Sequence, residues 1–433
     1  MTSLAGGALS PAAGLDPYWW RNAPRPAVAP PPLPAASDVA IVGSGITGLV
    51  AALHLARAGR RVSVLEAGVA GEGASSRNAG YVGRTLKHTF GDIVRSEGLE
   101  RAIAVYREMR QAFDSVLEMV ASEKIDCDLK QQGRFIMAAT PAQYDGLARE
   151  LDLRRRHLGE DFSMCSKAEQ SAEINTGRYF GGAVIPDHAG LHPGKYHLGL
   201  LTAAERQGAV IFPGTPVASI GRDGGDFTLV TPRGSLKARQ VLVATNGYSG
   251  GAFPWLRRRL IPFDAYMIAT EPLDAQRVAG LLPGERTFVD WNFNVDFVRR
   301  APDDPRRIVF GGLSGARNQD LAVMAAGLRQ RLARIFPGLA AVGIDNVWTG
   351  RCAGSFDLYP HIGCREGIHY AVGYCFAGLP MGTWFGRKVA ERILGAKSAP
   401  SVFADRPFGT VPLYRGNAWF LPLAMRWLSR KDG

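Results

Sequence analysis

No run of about 18 uninterrupted apolar residues occurs in this 433-residue chain, so no stretch of it is expected to span a bilayer. The N-terminus carries no basic region followed by an apolar core and a small-residue cleavage site, which argues against a secretory leader. Cysteine is scarce. Cys127, Cys165, Cys352, Cys364 and Cys375 form an odd set without a C-x-x-C pair, which argues against a zinc site and fits a reducing cytoplasm. Neither a Ser-His-Asp arrangement nor an H-E-x-x-H motif is visible, so hydrolysis through an activated serine or a bound metal is not expected. Acids are outnumbered, 39 against 51 Lys and Arg, giving a net charge of +12. The basic residues are scattered (154–156, 257–259, 306–307) with no stacking platform or DNA-reading motif beside them. That pattern suits a high-pI enzyme whose field draws in anionic substrates better than a nucleic-acid binder.

What is present is an ordinary globular composition, 46% apolar and 21% charged, in a chain long enough for two cores. Its most informative stretch is "DVAIVGSGITGLVAALHLARAGRRVSVLEAG", residues 38–68. An apolar run ends in Gly43, and Gly43, Gly45 and Gly48 fall at G-x-G-x-x-G spacing ahead of a helical run over 49–58. The first glycine makes the tight turn, the second admits a pyrophosphate, and the third lets helix and strand pack closely. A second strand over 61–65 delivers Glu66, placed to accept from an adenosine ribose hydroxyl. The helix N-terminus supplies unpaired amides to the phosphates.

Further along, "GEGASSRNAGYVG" (71–83) is a run of small residues where backbone passes close to something. Periodicity predicts helices over 99–123, 141–157, 196–207 and 321–336. Strands are expected at "GRFIMAA", across 209–245 and around 265–270, 292–300 and "RIVFGG". "GRCAGSFDLYPHIG" is expected to be a loop, leading to a strand, a glycine-rich turn and a helix from Gly378. That helix N-terminus would be the second able to stabilise negative charge, which suits a long ligand such as FAD. Residues 1–37, rich in Pro and Ala, suggest an extended arm on the surface, with "PYWW" (17–20) docking on the body or another subunit.

Taken in order, the glycine-rich start, "GASSRNAG", "ATNGY", "FDLYPHIG" and "GYCFAGLPMGTWFG" resemble the FAD-dependent D-amino-acid oxidase superfamily, closest to its bacterial amine oxidoreductases of the gamma-glutamylputrescine oxidase type. The resemblance covers most of 38–395. It implies an α/β architecture: a Rossmann-like FAD-binding domain of glutathione-reductase type, with a substrate domain whose antiparallel sheet lies over the flavin. The FAD domain would comprise 38–90, 190–250 and 345–398, and the substrate domain 91–189 and 251–344, with a tail from 399 to 433. The resemblance implies FAD contacts at Gly43, Ser44, Gly45, Ile46, Thr47, Gly48, Glu66 and Ala67. Gly73, Ala74, Ser75, Ser76, Arg77, Asn78, Ala79 and Gly80 would line the pyrophosphate and flavin edge. Val217 would meet adenine through its backbone, and Ala244 and Thr245 would close over the cofactor. Gly378, Leu379, Pro380, Met381, Gly382 and Thr383 would lie beneath the pyrimidine end of the flavin.

Two positions bear on the reaction. Pro380 stands where the sarcosine-oxidising branch places a flavin-contacting lysine, so a small N-methyl amino acid held in that manner is not expected. Cys352 falls where that branch attaches flavin covalently; the alternative is a buried structural thiol. On the substrate side, Arg299 is either a carboxylate clamp or a surface arginine, and Tyr266 and Met267 either wall the site or pack the core. His192, before a proline, suits a turn better than catalysis, and Arg351 either faces the flavin or pairs with an acid such as Asp357.

The expected reaction is oxidation of a C–N bond of an amine or amino acid to an imine, by hydride transfer to flavin N5 and later hydrolysis, with O2 or a quinone as acceptor. A secondary or longer amine is favoured by Pro380. A flavin monooxygenase is the alternative enzyme, although "GYCFAGLPMG" lacks the Gly-Asp pair such a fold carries there. A non-catalytic flavoprotein subunit is the other. The basic, amphipathic "WFLPLAMRWLSRK" near the C-terminus suits contact with a membrane surface, with the body, or with a neighbour in a homo-oligomer.

Overall fold

A computed structural model describes residues 7–26, 29–315, 319–396 and 400–432. Two large sheets organise it. The first has eight strands, and its centre is a parallel run in the order Val210–Phe212, Val62–Leu65, Ala36–Val42, Gly234–Val243 and Ile368–Val372. Val62–Leu65 is buried at every position, as expected of a central parallel strand covered on both faces. One core joins its helices Ile46–Arg57, Pro193–Arg206 and Gly378–Ile393 to the long helix Leu99–Glu123. On its other face the hairpin Ser219–Asp223/Asp226–Thr231 continues antiparallel onto the start of Gly234–Val243.

The second sheet has nine strands, ordered Leu9–Gly14, Ile344–Ser355, Leu260–Thr270, Ile308–Gly315, Phe297–Arg300, Thr287–Asp290, Arg134–Met137, Gly181–Ile185 and Ser163–Ser166. It is antiparallel except at two pairings, Leu9–Gly14 with Ile344–Ser355 and Thr287–Asp290 with Arg134–Met137. One face is covered by the helices Ala275–Leu281 and Leu321–Ile335, and the other looks toward the segment 74–81. No helix among the described residues is long and apolar enough to cross a membrane.

The helices over 99–123, 141–158 and 321–335 form where the periodicity placed them. Capping explains several ends: Thr140 and His192 accept from the third residue beyond, each with proline at the first helical position. Three departures are instructive. "GRCAG" is strand, because Ile344–Ser355 pairs along nearly all of Leu260–Thr270, and that ladder overrides the local turn signals. The strand expected over 292–300 begins only at Phe297, since Asp290 folds the backbone back by accepting from Asn292 and from the Asp296 amide, and the preceding strand Thr287–Asp290 went unseen. The N-terminal arm does not simply lie on the surface. It adds a strand to the second sheet and sinks Trp19 edge-on against Trp348 and His192. Sheet membership also cuts the chain differently from the expected division, placing 344–355 with the nine-stranded sheet and the helix 99–123 with the eight-stranded one.

Candidate functional site

The chain leaves Ala36–Val42 through Gly43, whose φ of +102° suits only glycine, and enters the helix Ile46–Arg57. A Cβ at Gly48 would overlap the Gly43 carbonyl oxygen, and one at Gly45 would stand 2.8 Å from Ser75 Oγ. Bare backbone is thus required where helix meets strand. The Glu66 carboxylate accepts from the Ser44 amide (2.8 Å) and hydroxyl (2.6 Å) and from Gly68 N (3.2 Å), fixing the turn from the neighbouring strand. From below, His197 bonds the Ser44 carbonyl (2.8 Å) and meets Arg25 Nη1 at 3.0 Å, and burial pushes the His197 pKa down to about 4. A neutral ring therefore donates to Ser44 and accepts from Arg25 of the arm.

The other expected segments converge here. Ser75 Oγ accepts from Ile46 N (3.0 Å), Ala244 N donates to the Val42 carbonyl, and a Cβ on Gly43 would meet Ala244 and Thr245. Tyr374 reaches Thr47 (2.7 Å), Thr383 meets Tyr196 (2.9 Å), and Gly382 packs against Ile46 and Thr47. The first turns of the two helices therefore adjoin, and neither has a side-chain cap or an acid in its first turn. Ser75 occupies only one of the amides. Free amides at two adjoining helix N-termini fit an anionic, two-ended ligand, and the chemistry of this cradle fits FAD. Val217 packs partly buried against the apolar cluster on the other face of the same sheet. Asn78 bonds the Ser75 carbonyl and receives Gly80 N, while Arg77 lies 4.5 Å from the Trp20 ring and Trp20 Nε1 donates to Ser76. The "PYWW" arm thus docks on the body, at this segment.

Alternation along the paired strands sorts the substrate-side candidates. Phe263, Ala265 and Met267 share a face with their partners Cys352, Gly350 and Trp348, and Gly350 faces Ala74 and Arg77. That face looks toward the cradle. Tyr266 is on the other face, in the core beneath the helix Leu321–Ile335; Arg351 shares that face but is half-buried, and its guanidinium pairs with Asp264 at 3.1 Å. Met267 packs with Trp19, Phe297 and Trp348. His192 is a buried helix cap whose pKa burial lowers to about 4. Cys352 faces the site side, and burial, reinforced by Cys375 and Asp264, pushes its thiol up to about 12, so it stays protonated.

Arg299 is buried, and its Nη1 donates to the carbonyls of Ala79 (3.1 Å), Gly80 (3.4 Å) and Leu191 (2.9 Å). It straps the 79–80 segment to the chain before helix 193–206 rather than extending toward solvent. We expect Arg299→Met to destabilise the protein by roughly 2–4 kcal/mol by orphaning these buried carbonyls. Thermal melting reads this directly, and an unchanged Tm would contradict the strap.

A cation that the motifs did not reveal lies beside the segment leading into the helix Gly378–Ile393. Lys87 Nζ donates to the Phe293 carbonyl (2.6 Å) and lies 4.5 and 5.0 Å from the rings of Phe293 and Phe376. Burial lowers its pKa. Phe376, with Cys375, adopts positive φ immediately before the helix Gly378–Ile393, and its ring meets Phe263 at 5.2 Å. Lys87, Phe376, Phe263 and Cys352 thus form a continuous wall from that helix N-terminus to the site face of the second sheet.

A separate hollow of about 220 Å³, lined by Tyr179, Asp290, Asp296 and Arg331 among others, shares no residue with the cradle. Asp296 is held by Arg331, whereas Asp290 is raised to about 8 by burial and by Asp296, which outweigh the donors it receives. A fold that raises an acid above its unfolded value of 3.8 binds the extra proton. Its stability is therefore full below that value and falls as pH rises toward 8. Chemical denaturation across pH 5–8 should show a downward slope, on the order of 1 kcal/mol per unit at most, that Asp290→Asn removes. Parallel slopes in both proteins would refute the assignment.

The model of the FAD dependent oxidoreductase family, DAO, matches residues 38–392. Gamma-glutamylputrescine oxidoreductase of Escherichia coli is 30% identical over 381 residues, covering 87% of this chain and 88% of that protein. The probable oxidoreductase OrdL of Haemophilus influenzae is 28% identical over 373 residues, 85% of each. Among solved structures, glycine oxidase from Geobacillus kaustophilus superposes with a TM-score of 0.72 at 23% identity, over 88% of this chain and 99% of that one. The cradle built by Gly43–Gly48, 74–80 and 378–383 falls wholly inside the matched span, and the chain belongs to the DAO family of FAD-dependent oxidoreductases, enzymes for which FAD is the cofactor.

Proposed function

We propose that this enzyme oxidises the C–N bond of a secondary or longer amine to an imine, which water then hydrolyses to a carbonyl compound and an amine. FAD supplies the two-electron acceptor, and oxygen or a quinone restores it in the cytoplasm. The observation that carries the reading is the wall beside the second helix N-terminus: aromatic faces and one desolvated ammonium, Lys87, next to a site-facing sheet. Phe263 and Phe376 would hold the alkyl part of the amine and exclude water. Lys87 would hold an acidic group at the substrate's far end, a part for which Arg299 was one candidate in sequence. The names of two relatives, a gamma-glutamylputrescine oxidoreductase and a glycine oxidase, support an amine or amino acid as the substrate class.

The test is anaerobic: purified holoprotein is given gamma-glutamyl polyamines, N-methyl and cyclic amino acids, and aminophosphonates in turn. Bleaching of the oxidised-flavin band by one of them is the expected result. A bound flavin that every amine leaves oxidised would refute the reading.

A further inference from the structure

The C-terminal segment is fastened to the body at a few points and turns an apolar stripe outward. Tyr414 donates to the Leu260 carbonyl and packs on Phe356 and Phe420, Met425 covers Gly315, and the Asp432 carboxylate receives the amides of Phe293 and Asn294. Beside these anchors, Leu413, Trp419, Leu423 and Trp427 are 96, 75, 66 and 64% exposed. Leu423 and Trp427 lie one turn apart on the helix Leu421–Leu428, and Trp419 extends the line ahead of it. A surface helix normally points its polar side at water; this one buries no residue fully and exposes Leu423 and Trp427 in line. Arg415, Arg426 and Arg430 are exposed around the stripe, and the single acid of residues 413–433, Asp432, is spent on backbone amides.

We infer that this stripe is a docking surface for an anionic lipid bilayer. Indole rings settle at the boundary between headgroups and acyl chains, and arginines beside them reach lipid phosphates while their stems lie along apolar surface. Charge selects the occupant. A two-fold contact between copies through the same stripe would set Arg426 and Arg430 against their own counterparts, whereas an anionic leaflet complements them and the net charge of +12 behind them. The anchors leave the stripe free to sink without unfolding the tail. The surface also borders the site, because the loop that Asp432 holds is the one whose Phe293 carbonyl takes Lys87.

Co-sedimentation of the full-length holoprotein with vesicles tests this independently of any substrate. Vesicles of phosphatidylcholine with one third phosphatidylglycerol should be bound about thirtyfold more tightly than phosphatidylcholine alone, with the preference lost in high salt. A variant carrying Trp419→Ser, Leu423→Ser and Trp427→Ser should lose binding, and one carrying Arg426→Gln and Arg430→Gln should lose the preference for anionic lipid, both with unchanged FAD content and Tm. Failure to bind either vesicle, or binding that both variants retain, overturns the proposal. So does a two-chain mass in solution that the triple variant reduces to one chain.

Discussion

Gly45→Val should give a folded but colourless protein. The added side chain would start 2.8 Å from Ser75 Oγ, the group that receives the Ile46 amide, and would project into the turn where backbone must approach a pyrophosphate. Losing two charge-assisted contacts at roughly 1.5–3 kcal/mol each weakens FAD binding about 10²- to 10⁴-fold. The core beneath is untouched: Leu49, Val50 and Leu53 on the same helix pack away from the turn. Far-ultraviolet circular dichroism should therefore match the parent, while the flavin absorbance is lost on gel filtration. Retention of the yellow colour would mean the cofactor is held elsewhere. Gly48→Val offers a contrast, since its Cβ would strike the Gly43 carbonyl; that variant should lose folding together with flavin.

This contrast shows why so much of the cradle was legible. A pyrophosphate site on a parallel sheet needs glycines at fixed offsets, a strand before and a helix after, all within one local stretch, and Asp38–Gly68 satisfies each requirement in sequence order. The segments around Ser75 and Gly378 were placed by ordered resemblance, which carries long-range information that local spacing lacks. The substrate side had no such help. Tyr266 and Met267 are adjacent in sequence, yet strand alternation sends them to opposite faces, and which face looks at the cradle depends on a pairing with residues some eighty positions later. Arg299 carries the right chemistry, but its direction is fixed by three carbonyls from two other segments. The aromatic "PYWW" stretch reads as a docking element; that Trp19 is buried against Trp348 follows only from a strand joining the far edge of the second sheet.

Lys87 was missed for a related reason, and replacing it has the largest effect we expect on substrate choice. It lies in "GRTLKHTF" without motif or partner in sequence, and its place in the wall depends on Phe376 adopting a φ of +75°, a conformation nothing in "CFAG" announces. An ammonium flanked by two rings loses much of its hydration, so an anionic group reaching it gains a strong hydrogen bond at little further desolvation cost. Lys87→Met keeps the length and the apolar contacts but removes the charge. For amines bearing a carboxylate, kcat/KM should fall about 30- to 150-fold, the equivalent of roughly 2–3 kcal/mol, mostly through KM, while amines without an acid change little. FAD content should not move. The pH profile adds an independent readout: because burial lowers the Lys87 pKa, activity on acidic amines should decline at a pH below that of an ordinary lysine, and the variant should lack that limb. Equal losses on acidic and neutral amines would assign Lys87 to packing, and the anion-holding role would pass to another group along the wall.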